Sequence, residues 1–236
     1  MNEFEDFDIP GLAAYLHLTA EQVQKMAERG RLPGRRVQGD WRFARAEIHH
    51  WLEEKIGASG EPELVDVERI LDRHAGGEPS WHKLVDLMSV ETIAHPLLAR
   101  TKNSVIDSIC QLAFQAGKLW DPAAMADAIR ARETLHPTAL DNGVALLHPR
   151  RPLPTLIGDS FLALGITAAG IPFGGPKGSL TDVFFLIASY SDAEHLKILA
   201  RLSRLIVDPA FLSDLRGAES AREILERVAV AEHNLP

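Results

Sequence analysis

The chain has 236 residues, enough for one large or two small domains, with 46% apolar residues, 25% charged residues and a formal net charge of −8. That acidic balance argues against indiscriminate nucleic-acid binding by the whole chain, although it averages over local differences. The single cysteine, Cys110, excludes an intrachain disulfide or a cysteine metal site, and with no apolar run near the roughly 18–20 residues of a membrane span and an acidic start, Met1-Asn2-Glu3-Phe4-Glu5-Asp6, the expectation is a cytoplasmic protein without membrane association.

Residues 8 to 56 read as a compact unit. Asp8 can cap a short helix that opens near Pro10 and carries Leu12, Ala13, Tyr15 and Leu16. After a turn at His17-Leu18, Thr19 and Gln22 form a capping box for a second helix. Val23, Met26 and Ala27 are its predicted buried face, and Gly30 its stop. Two alternating runs, 32–37 and 41–43, flank Gln38-Gly39-Asp40 and predict a β-hairpin. A last helix over 46–55 would bury Ile48, Trp51 and Leu52. Between residues 21 and 45 the basic residues Lys25, Arg29, Arg31, Arg35, Arg36, Arg42 and Arg45 face the acids Glu21, Glu28 and Asp40. This local excess of +4 in an acidic chain is what phosphate contacts require, because neutralised phosphates release counterions.

Helix, turn, helix, hairpin and helix in that order resembles the excisionase/MerR-like winged helix-turn-helix. The resemblance rests on Gly30-Arg31-Leu32-Pro33, Trp41-Arg42-Phe43 and Ile48-His49-His50-Trp51-Leu52. It implies duplex DNA as a partner, with helix two in the major groove and the hairpin against the backbone or minor groove. Gln22, Gln24 and Lys25 would face base edges, and Arg35, Arg36 and Arg42 would contact the backbone. A protein-docking module is the alternative reading of the same pattern.

Gly57-Ala58-Ser59-Gly60-Glu61-Pro62 breaks the chain, Leu64, Val67, Ile70 and Leu71 give a short helical period, and Gly76-Gly77-Glu78-Pro79-Ser80 breaks it again. From about Leu84 helical and strand patterns alternate, as in an α/β fold. Helices are predicted over 104–116, with Val105, Ile106, Ile109, Leu112 and Ala113 on one face, and over 122–131 behind an Asp121 cap. Strands are predicted over 144–147, 163–167 and 181–189, the last apolar enough to be covered on both faces. Helices follow over 196–206, with Leu196, Leu199, Leu202 and Leu205 in phase, and over 222–229.

The stretch Arg132-Glu133, then Asn142-Gly143-Val144-Ala145-Leu146-Leu147-His148, followed later by Glu194-His195-Leu196, resembles the IIA phosphocarriers of the fructose/mannitol phosphotransferase class, a family that includes the nitrogen-regulatory IIA proteins. The resemblance covers roughly residues 84–230. It implies a mixed β-sheet flanked by helices, an α/β (α+β) fold, preceded here by the small winged helix-turn-helix. The domains would be 1–57 for that module, 58–83 for a linker with a short helix, and 84–236 for the IIA domain. His148 matches the phosphorylated histidine. Arg132, sixteen residues earlier, matches the family's arginine, and His195 the second active-site histidine. Two positions depart from the family pattern: Leu147 replaces the usual proline before the reactive histidine, and Pro149 follows it in place of a small residue.

The chemistry suits these residue types. An imidazole with a pKa near 6.5 keeps a free ring nitrogen at neutral pH and can carry a phosphoryl group onward. Phosphoryl transfer asks the protein mainly for positioning and positive charge, which a planar guanidinium supplies through two oxygens at once. At a helix start, His195 would sit beside N–H groups directed at an anion. The remaining histidines, His95 and His136 among them, form no ligand cluster, so neither a metal nor a cofactor is expected. The resemblance implies the histidine phosphocarrier HPr, or its nitrogen-regulatory equivalent, as phosphodonor and a IIB protein as a second partner. Three readings stand: a DNA-binding regulator controlled by phosphorylation of His148, a plain phosphocarrier with a docking module, and a degenerate IIA fold that only binds proteins.

Overall fold

In the computed structural model, residues 6–16, 18–45, 47–48, 51–52 and 83–235 are described. The chain divides into two compact units, residues 1–78 and 79–236. The predicted linker helix near Leu64–Leu71 and its flanking breaks lie outside the described residues.

In the first unit, Asp8 accepts the Gly11 N–H at 2.7 Å, at the start of helix α1 (Ile9–Leu16). Helix α2 (Ala20–Glu28) has the full capping box: Gln22 N–H donates to Thr19 Oγ1 at 3.2 Å and Thr19 N–H to Gln22 Oε1 at 2.8 Å. Its end is a Schellman turn. Gly30 takes φ +66°, Arg31 N–H reaches the Met26 carbonyl and Gly30 N–H that of Ala27. Strands β1 (Arg35–Val37) and β2 (Asp40–Arg42) pair antiparallel around Gln38-Gly39, both at positive φ, the two-residue turn whose twist suits a hairpin. Phe43 is fully buried. It exchanges backbone bonds with Phe7 and packs so close to Gly34 that a Cβ there would meet its ring at 2.6 Å. Leu12, Leu16, Val23, Ala27, Leu32, Ile48 and Leu52 complete this core.

The second unit holds a four-stranded sheet in the order β3-β5-β6-β4, with β3 (Ile93–Ala94), β4 (Val144–Leu147), β5 (Phe161–Pro172) and β6 (Leu180–Ala188). The sheet is mixed: β5 and β6 are antiparallel, while β3 runs parallel to β5 and β4 parallel to β6. Helices α3 (Lys102–Gln115) and α4 (Pro122–Leu135) share a core cluster with residues of the sheet, including Phe161, Phe184 and Leu186. Each such buried side chain contributes about 1.5–3 kcal/mol. Helices α5 (Asp192–Val207), α6 (Pro209–Arg216) and α7 (Ala221–His233) close the chain.

Three differences from the sequence reading have local causes. Helix α4 runs through Leu135, so Arg132 and Glu133 are helical and buried rather than in a connecting segment. Strand β5 is twelve residues long because a register shift between Ile166 and Ile171 lets it continue past exposed residues 168–170. Strand β3 and helix α6 are too short to show a period of their own.

Candidate functional site

Strand β4 lies at the open end of the strand order, and His148 follows it directly. Its register is parallel to the fully buried run of β6, with Leu147 opposite Leu186. The start of β4 is fixed by the Asn142-Gly143 turn. Gly143 sits at φ +86°, and a Cβ there would meet Arg216 Nη2 at 2.7 Å and Asp182 Oδ1 at 3.0 Å. Arg216 grips Asp182 with two bonds of 2.8 Å and donates a third, of 2.9 Å, to the Asn142 carbonyl. Asn142 Nδ2 donates to the Ile206 carbonyl at the end of α5.

His148 is 3% exposed, and its Nδ1 lies 2.8 Å from the Leu146 carbonyl oxygen. A carbonyl only accepts, so Nδ1 carries a proton, and in the neutral ring the lone pair is then on Nε2. His195 is also buried, and its ring lies 4.8 Å from that of His148, centroid to centroid, tilted by 49°. Ser191 caps α5 by accepting the Glu194 N–H, and His195 N–H donates to the Ser191 carbonyl. His195 therefore stands one turn inside the helix, not at its open end as expected, with its backbone N–H already used. What it offers the site is its ring.

Arg132 lies in the last turn of α4, 7% exposed, and its Nη1 donates to the His136 carbonyl at 2.6 Å. Residues after α4 run back along the free edge of β4. Ala139 bridges Ala145 antiparallel, Leu140 N–H donates to the Val144 carbonyl, and Leu146 N–H to that of Thr138. His136 itself is exposed, with Nδ1 2.8 Å from the Leu135 carbonyl oxygen. Sequence reasoning missed Lys102, Glu133 and Thr138. The Glu133 carboxylate is buried between the Lys102 ammonium at 2.8 Å and the Thr138 N–H and hydroxyl. Only the adjacency of Glu133 to Arg132 hinted at it.

In the first unit the predicted DNA-facing residues carry local bonds. Gln22 caps α2, Gln24 donates to Glu28 at 3.0 Å, and Lys25 pairs with Glu21 at 2.7 Å. Arg35 pairs with Asp6 at 2.8 Å, Arg36 lies over the Trp41 ring, and Arg42 donates to the Trp41 carbonyl. The pairs of Lys25 and Arg35 are solvent-exposed and weak enough to yield to a phosphate. Gln22 is tied to the cap.

The family model described as the phosphoenolpyruvate-dependent sugar phosphotransferase system, EIIA 2, matches residues 86–230. The chain belongs to that EIIA family. A helix-turn-helix domain model matches residues 7–56, so a helix-turn-helix domain precedes the EIIA domain. The EIIA part is 30% identical over 151 residues to a nitrogen regulatory protein of Bradyrhizobium diazoefficiens, covering 62% of this chain and 95% of that protein. It is 29% identical over 146 residues to the fructose-specific EIIABC component of Bacillus subtilis, covering 61% of this chain but spanning only 22% of that longer protein. The nitrogen regulatory protein IIA-Ntr of Neisseria meningitidis shares the EIIA fold at TM-score 0.55 and 20% identity, covering 61% of this chain and 97% of that one. So does the IIA of the Escherichia coli mannitol system, solved in complex with phosphorylated IIB, at TM-score 0.54 and 22% identity, covering 61% and 97%. Among the described residues, no group of three or more histidine, cysteine or acidic side chains could hold a metal, and no helix is long and apolar enough to cross a membrane.

Proposed function

We propose that this EIIA protein is a histidine phosphocarrier that accepts its phosphoryl group on Nε2 of His148 and carries the signal to DNA through its helix-turn-helix domain. The observation that carries the reading is the buried pair of His148 and His195, 4.8 Å apart at the end of an edge strand of the EIIA fold. The donor is a phosphohistidine, that of HPr or a nitrogen-regulatory equivalent. The Nε2 lone pair attacks phosphorus, the new N–P bond forms as the donor's breaks, and the donor ring, protonated on its other nitrogen, leaves with the electron pair as a neutral imidazole. Arg132 supplies positive charge to the phosphoryl oxygens and His195 a ring N–H, the electrostatic help that this transfer needs. The reading assigns DNA recognition to residues 1–57, a linker to 58–83 and phosphoryl transfer to 84–236.

A second reading, a phosphocarrier that passes the group to a IIB protein, is favoured by the likeness to the mannitol IIA solved with phosphorylated IIB. Intact-mass analysis after incubation with phosphoenolpyruvate, enzyme I and HPr tests the shared step. The expected result is the mass of one added phosphoryl group, acid-labile and base-stable, absent from His148→Ala. Equal labelling of that variant refutes the assignment. Selection from genomic DNA fragments then separates the two readings, since only the regulator enriches a sequence.

A further inference from the structure

We propose that Glu133 is a positioning residue for phosphoryl transfer: its buried carboxylate, braced by Lys102 and Thr138, fixes both the tautomer of His148 and the aim of Arg132. This inference rests on the reading of His148 as phosphoacceptor. Strand β4 is an edge strand, and an uncovered edge leaves its N–H and C=O groups without protein partners. Residues 138–140 cover that edge, with Leu146 N–H bonded to the Thr138 carbonyl and Leu140 N–H to that of Val144. The cover has no regular structure of its own beyond the bridge at Ala139 and Ala145. Ser179 Oγ donates to the Leu140 carbonyl at one end, and Glu133 anchors the other end at Thr138. One carboxylate oxygen accepts the Thr138 N–H at 3.0 Å and the Thr138 hydroxyl. The other accepts from Lys102 Nζ at 2.8 Å, and Lys102 also donates to the Phe173 carbonyl at 3.2 Å and lies over the Phe173 ring.

Both reacting groups hang from this arrangement. The Leu146 residue whose N–H meets the cover also presents the carbonyl that accepts from His148 Nδ1. That bond leaves the lone pair on Nε2. On the other side, two residues before the cover, the His136 carbonyl takes the Arg132 Nη1 bond at 2.6 Å. Glu133 is the next residue to Arg132 on α4, so the helix that aims the guanidinium also anchors the segment that receives it. A buried carboxylate with a cation and two donors is well satisfied; stripped of one of them it relaxes, and the cover moves with it.

Nitrogen-15 spectra of the full-length chain, with the His148 ring assigned by its loss in His148→Gln, test the proposal directly. The wild type is expected in the Nδ1–H tautomer. Thr138→Val removes the hydroxyl donor at nearly constant volume, and Glu133→Gln removes the charge; both should move His148 towards a tautomer mixture. In single-turnover phosphorylation from phosphorylated HPr, both should slow transfer at saturating donor by about 100-fold, the scale of a slight misplacement of reacting groups. The half-saturating donor concentration should stay unchanged, and Thr138→Ser, which keeps the donor, should restore tautomer and rate. Variants that melt earlier yet keep the wild-type tautomer and rate overturn the proposal. Should Glu133→Gln fail to fold, the Thr138→Val and Thr138→Ser pair decides. A wild type that never labels sinks the phosphocarrier reading, and the tautomer comparison still decides the positioning.

Discussion

At the residue scale, two buried groups make opposite demands. In the proposed transfer Arg132 reaches the phosphoryl oxygens while its charge stays satisfied, and the His136 carbonyl accepts its Nη1 bond at 2.6 Å. Arg132→Ala should slow phosphoryl transfer by roughly 100-fold or more, the scale of losing one preorganised donor. Arg132→Lys should recover little, because a point charge replaces a two-pronged fork; full activity in the lysine variant, read in the same single-turnover assay, contradicts a gripping role. Cys110 is the opposite case, a thiol fully buried in the core cluster. Burial, reinforced by Asp107 and opposed by Arg130, pushes its thiol up from 9.0 to about 12. The folded state thus favours the protonated thiol. Its contribution to stability is complete below pH 9.0 and lost as the pH climbs towards about 12. Thiol titration with an aromatic disulfide at pH 8 should show no reaction in the native chain and one equivalent in denaturant. A Cys110→Ala variant should lose less stability than the wild type between those pH values, measured by urea unfolding.

At the element scale, the decisive pieces are an edge strand and the turn that starts it. Strand β4 is four residues long, too short to hold a register on its own. Its alignment comes from β6 on one side and the 138–140 segment on the other, and its start from Gly143. Gly143→Ala would put a methyl group at positive φ against the Arg216 and Asp182 side chains. The left-handed conformation alone costs about 1–2 kcal/mol for an L-residue, and displacing the bidentate pair adds to it. Urea unfolding should register a loss of about 2 kcal/mol or more, with slower labelling of His148. A variant as stable as the wild type means the turn does not set the strand. The difference between Gly143 and Gly30 is instructive. Both adopt positive φ, but Gly30 closes α2 in open space, so alanine there meets only the backbone cost.

At the scale of the molecule, charge is divided unequally along a chain of net charge −8. The +4 stretch between residues 21 and 45 runs from α2 through the hairpin, where Arg35 and Arg36 belong to one strand and Arg42 to its partner, cross-paired with Arg35. Full-length protein should bind its selected DNA site with an affinity that falls steeply with salt, each neutralised phosphate adding about 0.9 to the log–log slope. Arg36→Ala should lower that slope by about one unit. Arg42, which also donates to the Trp41 carbonyl, should do the same with an added loss of hairpin stability. Affinity that stays flat between low and moderate salt argues for the docking module instead.

The sequence by itself determined what local physics controls. The capping residues Asp8, Thr19, Gln22 and Asp121 stand in the structure as read, because a cap depends on residues within a turn of each other. The hairpin at Gln38-Gly39 and the buried β6 were legible for the same reason. Arg132, His148 and His195 were singled out through a resemblance to a family motif. Only the tertiary structure decided that His148 and His195 face each other, since forty-six residues of chain separate them and the sheet order alone brings their ends together. It also decided that Arg132 is helical and that the Glu133 carboxylate is buried between Lys102 and Thr138, because burial of a charge follows from packing across elements, which no local pattern encodes.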